Sequence, residues 1–149
     1  MEPLEEQRQQ YLEFIQNVVT RMNTNSFQLK ELTVLIITAC LAIYASDKNI
    51  WMILVPILPS AAFWHPDAYY LLQERKFRAI YDDATGVKNP PLNQVKLYQM
   101  SIKKYTVEKD PCFSLWNAFK SITIRNFYGS LIISLILIFV CIQLITTIK

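Results

Sequence analysis

The sequence predicts an all-α integral membrane protein, and three observations lead to that fold class. Residues 32–45, 50–64 and 131–148 contain no charged side chain. Hydrophobic residues make up 52% of the chain and charged residues only 18%, whereas soluble domains usually carry about 25% charged residues. The third stretch is apolar on every helical face. A chain of 149 residues has too little other protein to bury three such helices, so lipid is the expected surrounding.

The first two stretches predict a two-helix transmembrane hairpin over residues 32–64. Each is shorter than the about 20 residues that usually cross a bilayer, and a polar turn at residues 46–49 separates them. Phe27 and Leu29 can extend the first helix, and Lys30 can reach the interface with its long side chain. A re-entrant or surface-lying hairpin is the alternative.

The distribution of Lys and Arg predicts the orientation. Of the 15 basic residues, three lie in residues 1–31, one in the short turn, ten in residues 65–126 and one at the carboxyl terminus. Basic residues concentrate on the cytoplasmic side of membrane proteins. We therefore expect a cytoplasmic amino terminus and an external carboxyl terminus, which three spans also require.

The expected domain organisation follows from the apolar stretches and the charges. In chain order the segments are a cytoplasmic amphipathic helix at 1–31, the transmembrane hairpin at 32–64, a cytoplasmic helical region at 65–126 and a C-terminal transmembrane helix at 127–149.

The first segment has the periodicity of an amphipathic helix. Tyr11, Ile15, Val18 and Met22 recur at helical spacing. Asn and Ser residues at 23–26 predict a break before the first span, because their side chains compete for backbone hydrogen bonds. The apolar face is expected to pack on the other cytoplasmic helix, through Phe77, Ile80 and Tyr81, or on a second copy of the chain.

The second span is expected to continue past Pro66 as a cytoplasmic helical stalk that ends near Gly86. Residues 89–92, which include two prolines, predict a chain break, and residues 95–108 have no clear periodicity. Asp110, followed by proline, predicts the start of an aromatic amphipathic helix over residues 112–126.

Three residues of the second span and its mouth are candidate gating or pore positions. Pro56 and Pro59 are each expected to leave a backbone carbonyl unpaired and to bend the helix. Asp67 follows the apolar stretch, where it would cap a helix, form a salt bridge with a nearby Arg, or face a pore. Ordinary helix packing by the prolines is the alternative.

Glu74, Arg75 and Arg78 are candidate contacts with a partner or with another copy of the chain. They lie on one predicted helix, where Glu74 and Arg78 are spaced to pair, so a solvated and self-paired face is the alternative. Small residues in all three spans permit close approach of helices. Conduction would require several copies arranged as a homo-oligomer, because three spans cannot enclose a wide aqueous path.

Catalytic, cofactor and metal sites are not expected. The chain has one His and two Gly, so it lacks the residues for a metal cluster or for the usual phosphate-binding loop. Its three cysteines form no CxxC pair. A net charge of +3 is too small to argue for nucleic acid as a partner.

Several short motifs resemble a family of small bacterial membrane proteins. The motifs are Asn25-Ser26-Phe27-Gln28-Leu29-Lys30, Phe63-Trp64, Asp67-Ala68-Tyr69-Tyr70-Leu71, Gln73-Glu74-Arg75, Phe77-Arg78 and Tyr81-Asp82-Asp83. Over residues 20–86 the chain is similar to SLATT-type proteins, which are two-span effectors with a cytosolic helical extension. The resemblance implies a role in bacterial conflict systems, in which a nucleotide-signalling or sensor partner triggers perturbation of the membrane. The third span departs from that two-span plan.

The expected function is therefore that of an oligomeric effector in the bacterial inner membrane. It would permeabilise or depolarise the membrane on a cytoplasmic trigger, in antiviral defence, with a cytoplasmic sensor or signalling enzyme as partner. The alternative is a membrane anchor or scaffold that recruits a separately encoded enzyme or sensor. A housekeeping transporter or channel subunit is disfavoured, because the spans carry almost no charge.

Overall fold

The computed structural model describes residues 3–148, and every regular element among them is helical. The α-helices are α1 (Pro3–Asp47), α2 (Trp51–Leu54), α3 (Ile57–Thr85), α4 (Leu115–Phe119) and α5 (Ile122–Ile148), with 3-10 helices at Ile102–Lys104 and Pro111–Phe113. The all-α prediction is confirmed. Two of the described helices, α1 and α5, are long and apolar enough to cross a membrane.

The predicted break at residues 23–26 is wrong, because α1 runs without interruption from Pro3 to Asp47. An Asn or Ser in a helix interior costs only about 0.7 kcal/mol or less relative to Ala, and α1 has neither Gly nor Pro beyond its first residue. Burial of side chains on both sides of the predicted break, such as Ile15 and Thr33, offsets that small local cost.

The second apolar stretch is divided at Pro56. Helix α2 ends at Leu54, and α3 begins at Ile57, because Pro56 has no N–H to continue the helical hydrogen bonds. Helix α3 then passes through Pro66 to Thr85, and the expected end near Gly86 is confirmed. Gly86 has a φ of 75°, a conformation that glycine adopts without a steric cost.

The predicted helix over residues 112–126 is wrong. Asp110 does act as an N-cap, but only for the 3-10 helix Pro111–Phe113, after which Ser114 is extended. Helix α4 follows, and α5 starts at Ile122, so the end of the predicted helix belongs to α5. The last residue of the predicted span 127–149 lies outside the described residues.

The chain divides into two compact units. The first unit contains the described residues up to Ser26 together with Tyr69–Ala118, and the second contains Phe27–Ala68 together with Phe119 onward. Helices α1 and α3 each contribute residues to both units.

In the first unit, the long loop after α3 is held by the Asp83 carboxylate. One Asp83 oxygen accepts the N–H of Leu92 at 2.9 Å, and the other accepts the N–H of Asn93 at 3.0 Å and the hydroxyl of Tyr105 at 2.8 Å. On the α1 side, the Tyr11 hydroxyl donates to the Gln99 carbonyl at 2.6 Å. The loop is therefore ordered by charge-assisted and buried polar contacts rather than by regular structure.

This packing corrects the expected contact between copies. Tyr11, Ile15 and Ile80 are buried within one chain, at 2%, 0% and 1% exposure. Their predicted role in holding copies together is therefore wrong, because they already form the core of the first unit. The other alternative, packing of this face inside the same chain, agrees with their burial.

The second unit combines a small apolar core with a large exposed apolar surface. Ile37, Ile53 and Leu135 are buried together, and the rings of Trp51 and Phe139 lie 6.4 Å apart. Only 6% of the most apolar window of α5 is buried. Its outward side chains therefore need lipid or another protein to cover them.

Candidate functional site

A buried ion pair joins α1 and α3 in the second unit. The Nζ of Lys30 lies 2.6 Å from an Asp67 carboxylate oxygen, and the Asp67 side chain is 0% exposed while that of Lys30 is 18% exposed. Charged side chains are rarely buried in this way, because each loses its hydration. This pair is the most unusual feature of an otherwise apolar unit.

Helical periodicity brings these charges inward. On α1, Lys30 is followed by the buried residues Thr33 and Ile37, which lie three and seven positions later and so share one face. On α3, the buried Ser60 and Asp67 are also seven positions apart. The buried faces of α1 and α3 therefore each carry polar side chains within a core that is otherwise apolar.

Helix α5 adds a tyrosine to the ion pair. Tyr128 is fully buried, and its hydroxyl lies near the side chains of Asp67 and Thr33 without a well-formed hydrogen bond to either. The hydroxyl of Thr33 also donates to the Leu29 carbonyl at 2.7 Å. Lys30, Thr33, Asp67 and Tyr128 thus form a polar cluster, and three helices contribute to it.

An aromatic stack lies against this polar cluster. The ring of Trp64 stacks on Phe119, with centroids 4.8 Å apart, and on Tyr128, with centroids 5.9 Å apart. The indole N–H donates to the Phe119 carbonyl at 3.1 Å. The stack fixes the ring of Tyr128 beside Asp67, since large flat rings leave little freedom to reorient in a packed interior.

The polar cluster can exist in two electrostatic states. With the ions paired, attraction in a low-dielectric setting offsets the lost hydration. Separation of Lys30 from Asp67 leaves a buried charge that must gain water or a new partner. The arrangement therefore suits a switch between a dry paired state and a hydrated one.

The structure corrects the expectations for Asp67. Asp67 lies inside α3 and is not a helix cap, and its ion-pair partner is Lys30 rather than an Arg. Sequence reasoning assigned Lys30 to the membrane interface and missed this pairing. One signal was available: Lys30 and Asp67 lie at the outer ends of the two hairpin stretches, which a hairpin brings to similar depth.

The two prolines differ in what they do to the backbone. Pro56 is fully buried and separates α2 from α3, whereas Pro59 lies in the first turn of α3. The carbonyl of Val55 accepts the N–H of Leu58 at 3.3 Å, so Pro59 does not leave that carbonyl unpaired. The expectation that Pro59 leaves a backbone carbonyl unpaired is therefore wrong, and its missing N–H falls where a helix has no intrahelical partner to offer.

Glu74, Arg75 and Arg78 lie in the first unit. The guanidinium of Arg78 pairs with Glu74 at 2.7 Å, and Arg75 donates to the Cys112 carbonyl at 3.3 Å. Arg78 also lines a cleft of about 420 Å³ together with residues of α1, among them Gln16 and Thr20. The three predicted contact residues thus belong to a different unit from the buried ion pair.

Three titrating groups with perturbed pKa values lie in the loop of the first unit, and burial also raises the pKa of the Tyr11 hydroxyl on α1. The Cys112 N–H donates to the Asp110 carboxylate at 2.8 Å and lowers the pKa of that carboxyl below its usual value. The same carboxylate raises the pKa of the Cys112 thiol. Burial, followed by the Asp83 carboxylate, raises the pKa of the Tyr105 hydroxyl. None of these shifts activates a nucleophile or a general base at neutral pH.

Among residues 3–148, no group of three or more His, Cys, Asp or Glu side chains is placed to hold a metal ion. Comparisons with protein-family models, curated proteins and solved structures gave no match. The resemblance to SLATT-type proteins therefore stays a prediction, and the polar cluster is the strongest guide to function.

Proposed function

We propose that this chain is a non-enzymatic inner-membrane effector. Several copies would assemble in the bilayer and permeabilise or depolarise it when a signal reaches the cytoplasmic side. The observation that carries this proposal is the Lys30–Asp67 ion pair, which is buried in a unit with a largely apolar surface. The pair lies at the cytoplasmic end of the proposed hairpin, where burying two charges costs their hydration and points to a function rather than to stability alone.

The exposed surface of α5 supports placement in a bilayer. Leu137, Leu144 and Ile145 are 58–60% exposed, and no charged residue occurs from Leu131 to Ile148. In water such a helix would associate or aggregate. We propose the three-span arrangement predicted from the charges, with the amino terminus cytoplasmic, the hairpin 32–64 in the bilayer and the carboxyl terminus periplasmic.

In this proposal the ion pair closes the path. While Lys30 contacts Asp67, the polar cluster is compact and dry. A signal that separates the two charges would hydrate Asp67 and turn its helix face towards water, as happens at charged positions that line ion pathways. Because one chain encloses no wide channel, the hydrated faces of several copies would together form the path.

The proposal is tested by breaking and then rebuilding the pair. Asp67→Asn and Lys30→Met should each open the path and depolarise cells on mild expression, because each leaves one charge or amide unpaired. The swapped variant Lys30→Asp with Asp67→Lys should restore the closed state. A potential-sensitive dye in cells, and release of a small fluorescent dye from liposomes that contain the purified protein, measure the effect.

Matched variants separate gating from loss of folding. Glu13→Gln neutralises an exposed carboxylate of α1 in the first unit and should leave the membrane potential unchanged. If Asp67→Asn inserts at the wild-type level and causes no depolarisation and no dye release, the gating role of the pair is wrong.

A role as a membrane anchor or scaffold is the second candidate, and the cleft beside Arg78 favours it. The cleft has polar and apolar walls and is built from α1 and α3 of the first unit. Such a surface suits a helical segment of a partner protein. The partner would be a cytoplasmic sensor or signalling enzyme encoded near this gene, and the bacterial defence setting is the one that the family resemblance implies.

The two candidates give opposite results in one experiment. For an anchor, Arg75→Glu with Arg78→Glu should abolish co-purification of the neighbouring gene product, while Asp67→Asn leaves recruitment intact. The control is Lys96→Glu with Lys103→Glu, which makes the same change of charge at exposed positions elsewhere in the first unit. Equal loss of recruitment in both double variants would contradict a specific role of the cleft.

A further inference from the structure

A surface groove of about 440 Å³ runs along α1 in the second unit. Phe27, Glu31, Val34 and Leu35 of α1 line it, and Phe127 of α5 forms part of the opposite wall. The spacing of the α1 residues matches one helical face. The groove is open to the outside, and Leu35 is 65% exposed.

The groove has a polar end and an apolar end. Lys30 and Glu31 are the last charged residues before the uncharged stretch 32–45, and they mark the polar end. Thr38 lies about 10 Å further along the helix axis. Its hydroxyl donates to the Val34 carbonyl at 2.9 Å, so the far end presents little unsatisfied polarity. A lipid has the same gradient, from a charged headgroup to an acyl chain.

The charge at the polar end is negative. Lys30 lines the groove, but its ammonium is paired with Asp67 at 2.6 Å. Glu31 is exposed, and it forms no salt bridge with any side chain among residues 3–148. A carboxylate attracts a cationic headgroup that can donate hydrogen bonds and repels an anionic one.

We propose that this groove binds a zwitterionic phospholipid with a primary ammonium headgroup, that is, a phosphatidylethanolamine. The ammonium contacts the Glu31 carboxylate, and one acyl chain lies between Leu35 and Phe127. The inference requires the second unit to lie in a bilayer but does not depend on gating by the ion pair.

Native mass spectrometry of the purified full-length chain in detergent tests this site. Phosphatidylethanolamine, phosphatidylcholine and phosphatidylglycerol with identical acyl chains are added in equal amounts. Wild type should retain phosphatidylethanolamine about tenfold more than either competitor, the factor expected for one charge-assisted hydrogen bond. Phosphatidylcholine lacks the N–H donors, and phosphatidylglycerol carries a net negative charge.

Variants assign the preference to the groove. Glu31→Gln should abolish the preference, and Glu31→Lys should transfer it to phosphatidylglycerol. Leu35→Trp, which fills the groove, should reduce retention of all three lipids. The controls Glu13→Gln and Leu144→Trp change an exposed carboxylate in the first unit and an exposed leucine of α5, and both should bind as wild type does.

Three results would overturn the proposal. The first is equal retention of the three lipids by wild type. The second is a phosphatidylethanolamine preference that survives Glu31→Gln. The third is a dimer that Leu35→Trp dissociates, which would make the groove a contact between two copies of this chain. All three results are measured on the protein in detergent, so none of them depends on whether the chain conducts ions.

Discussion

At the scale of single residues, net stability does not account for the buried pair of Lys30 and Asp67. Replacing such a pair by apolar residues of similar size is often neutral or stabilising, whereas removing one partner destabilises by about 3–5 kcal/mol. Losing one of the two charges therefore destabilises the second unit more than replacing both Lys30 and Asp67 by apolar residues would. In the function proposed above, that asymmetry suits a switch, since separating the two charges is costly.

Cys112 offers a test of electrostatics at one residue. The Asp110 carboxylate raises the pKa of the Cys112 thiol, so less thiolate forms at a given pH. We expect iodoacetamide to alkylate Cys112 more slowly at pH 8.5 than it alkylates an unstructured cysteine peptide, and Asp110→Asn to accelerate the reaction. Mass spectrometry of a Cys40→Ala, Cys141→Ala background measures the rate.

The pH range of this effect follows from the Asp110 carboxyl. Its pKa is lowered in the folded chain, so the carboxylate stabilises the loop above the unfolded pKa. That contribution is lost as the pH falls through the pKa of the folded chain, which lies below the ordinary pKa of an Asp carboxyl. Asp110 is thus fully charged throughout the alkylation assay. No difference in rate between wild type and Asp110→Asn at any pH from 7 to 10 would contradict the assigned contact.

At the scale of elements, the loop after α3 depends on one carboxylate. Asp83 accepts three hydrogen bonds from this loop, two of them from the backbone N–H groups of Leu92 and Asn93. A hydrogen bond to a charged group contributes about 1.5–3 kcal/mol. The loop therefore has a single strong attachment near its start, and the Tyr11 contact with Gln99 forms another further along.

Removal of the Asp83 carboxylate should release the loop without unfolding the helices. We expect Asp83→Ala to raise amide hydrogen exchange over residues 87–105 by at least tenfold, because the lost contacts exceed about 1.4 kcal/mol. Exchange in α5 should stay unchanged. Tyr105→Phe, which removes one of the three hydrogen bonds, should have a smaller effect, and an equal effect of both variants would argue against a backbone attachment.

At the scale of the whole molecule, the proposed arrangement in the bilayer depends on how many helices cross it. Helices α1 and α5 are each long and apolar enough to span it. The stretch from α2 into α3 is interrupted at Pro56, and whether it crosses the bilayer decides between two spans and three. With two spans the ends of the chain lie on the same side of the membrane, and with three they lie on opposite sides. The positive charge of residues 65–126 favours a cytoplasmic position for that segment.

Reporter fusions measure this topology. A reporter joined after Lys149 should be active only on the periplasmic side, and one inserted at residues 88–95 only in the cytoplasm. An alkaline phosphatase and a fluorescent protein at both sites give complementary signals. Matching signals from the two sites would show that α5 does not cross the membrane and would reject the three-span arrangement. The reverse pattern, with residues 88–95 periplasmic and the carboxyl terminus cytoplasmic, would leave α1 and α5 as the spans among the described helices.

The helical class, the apolar stretches, the end of α3 at Gly86 and the cap at Asp110 could all be predicted from the sequence. These features depend on side chains within a few positions of each other, where propensity and capping act. The continuity of α1, the attachment of the loop to Asp83 and the pairing of Lys30 with Asp67 became evident only in the folded chain. Each of these depends on packing between distant parts of the chain, which outweighs local preferences of less than 1 kcal/mol per residue.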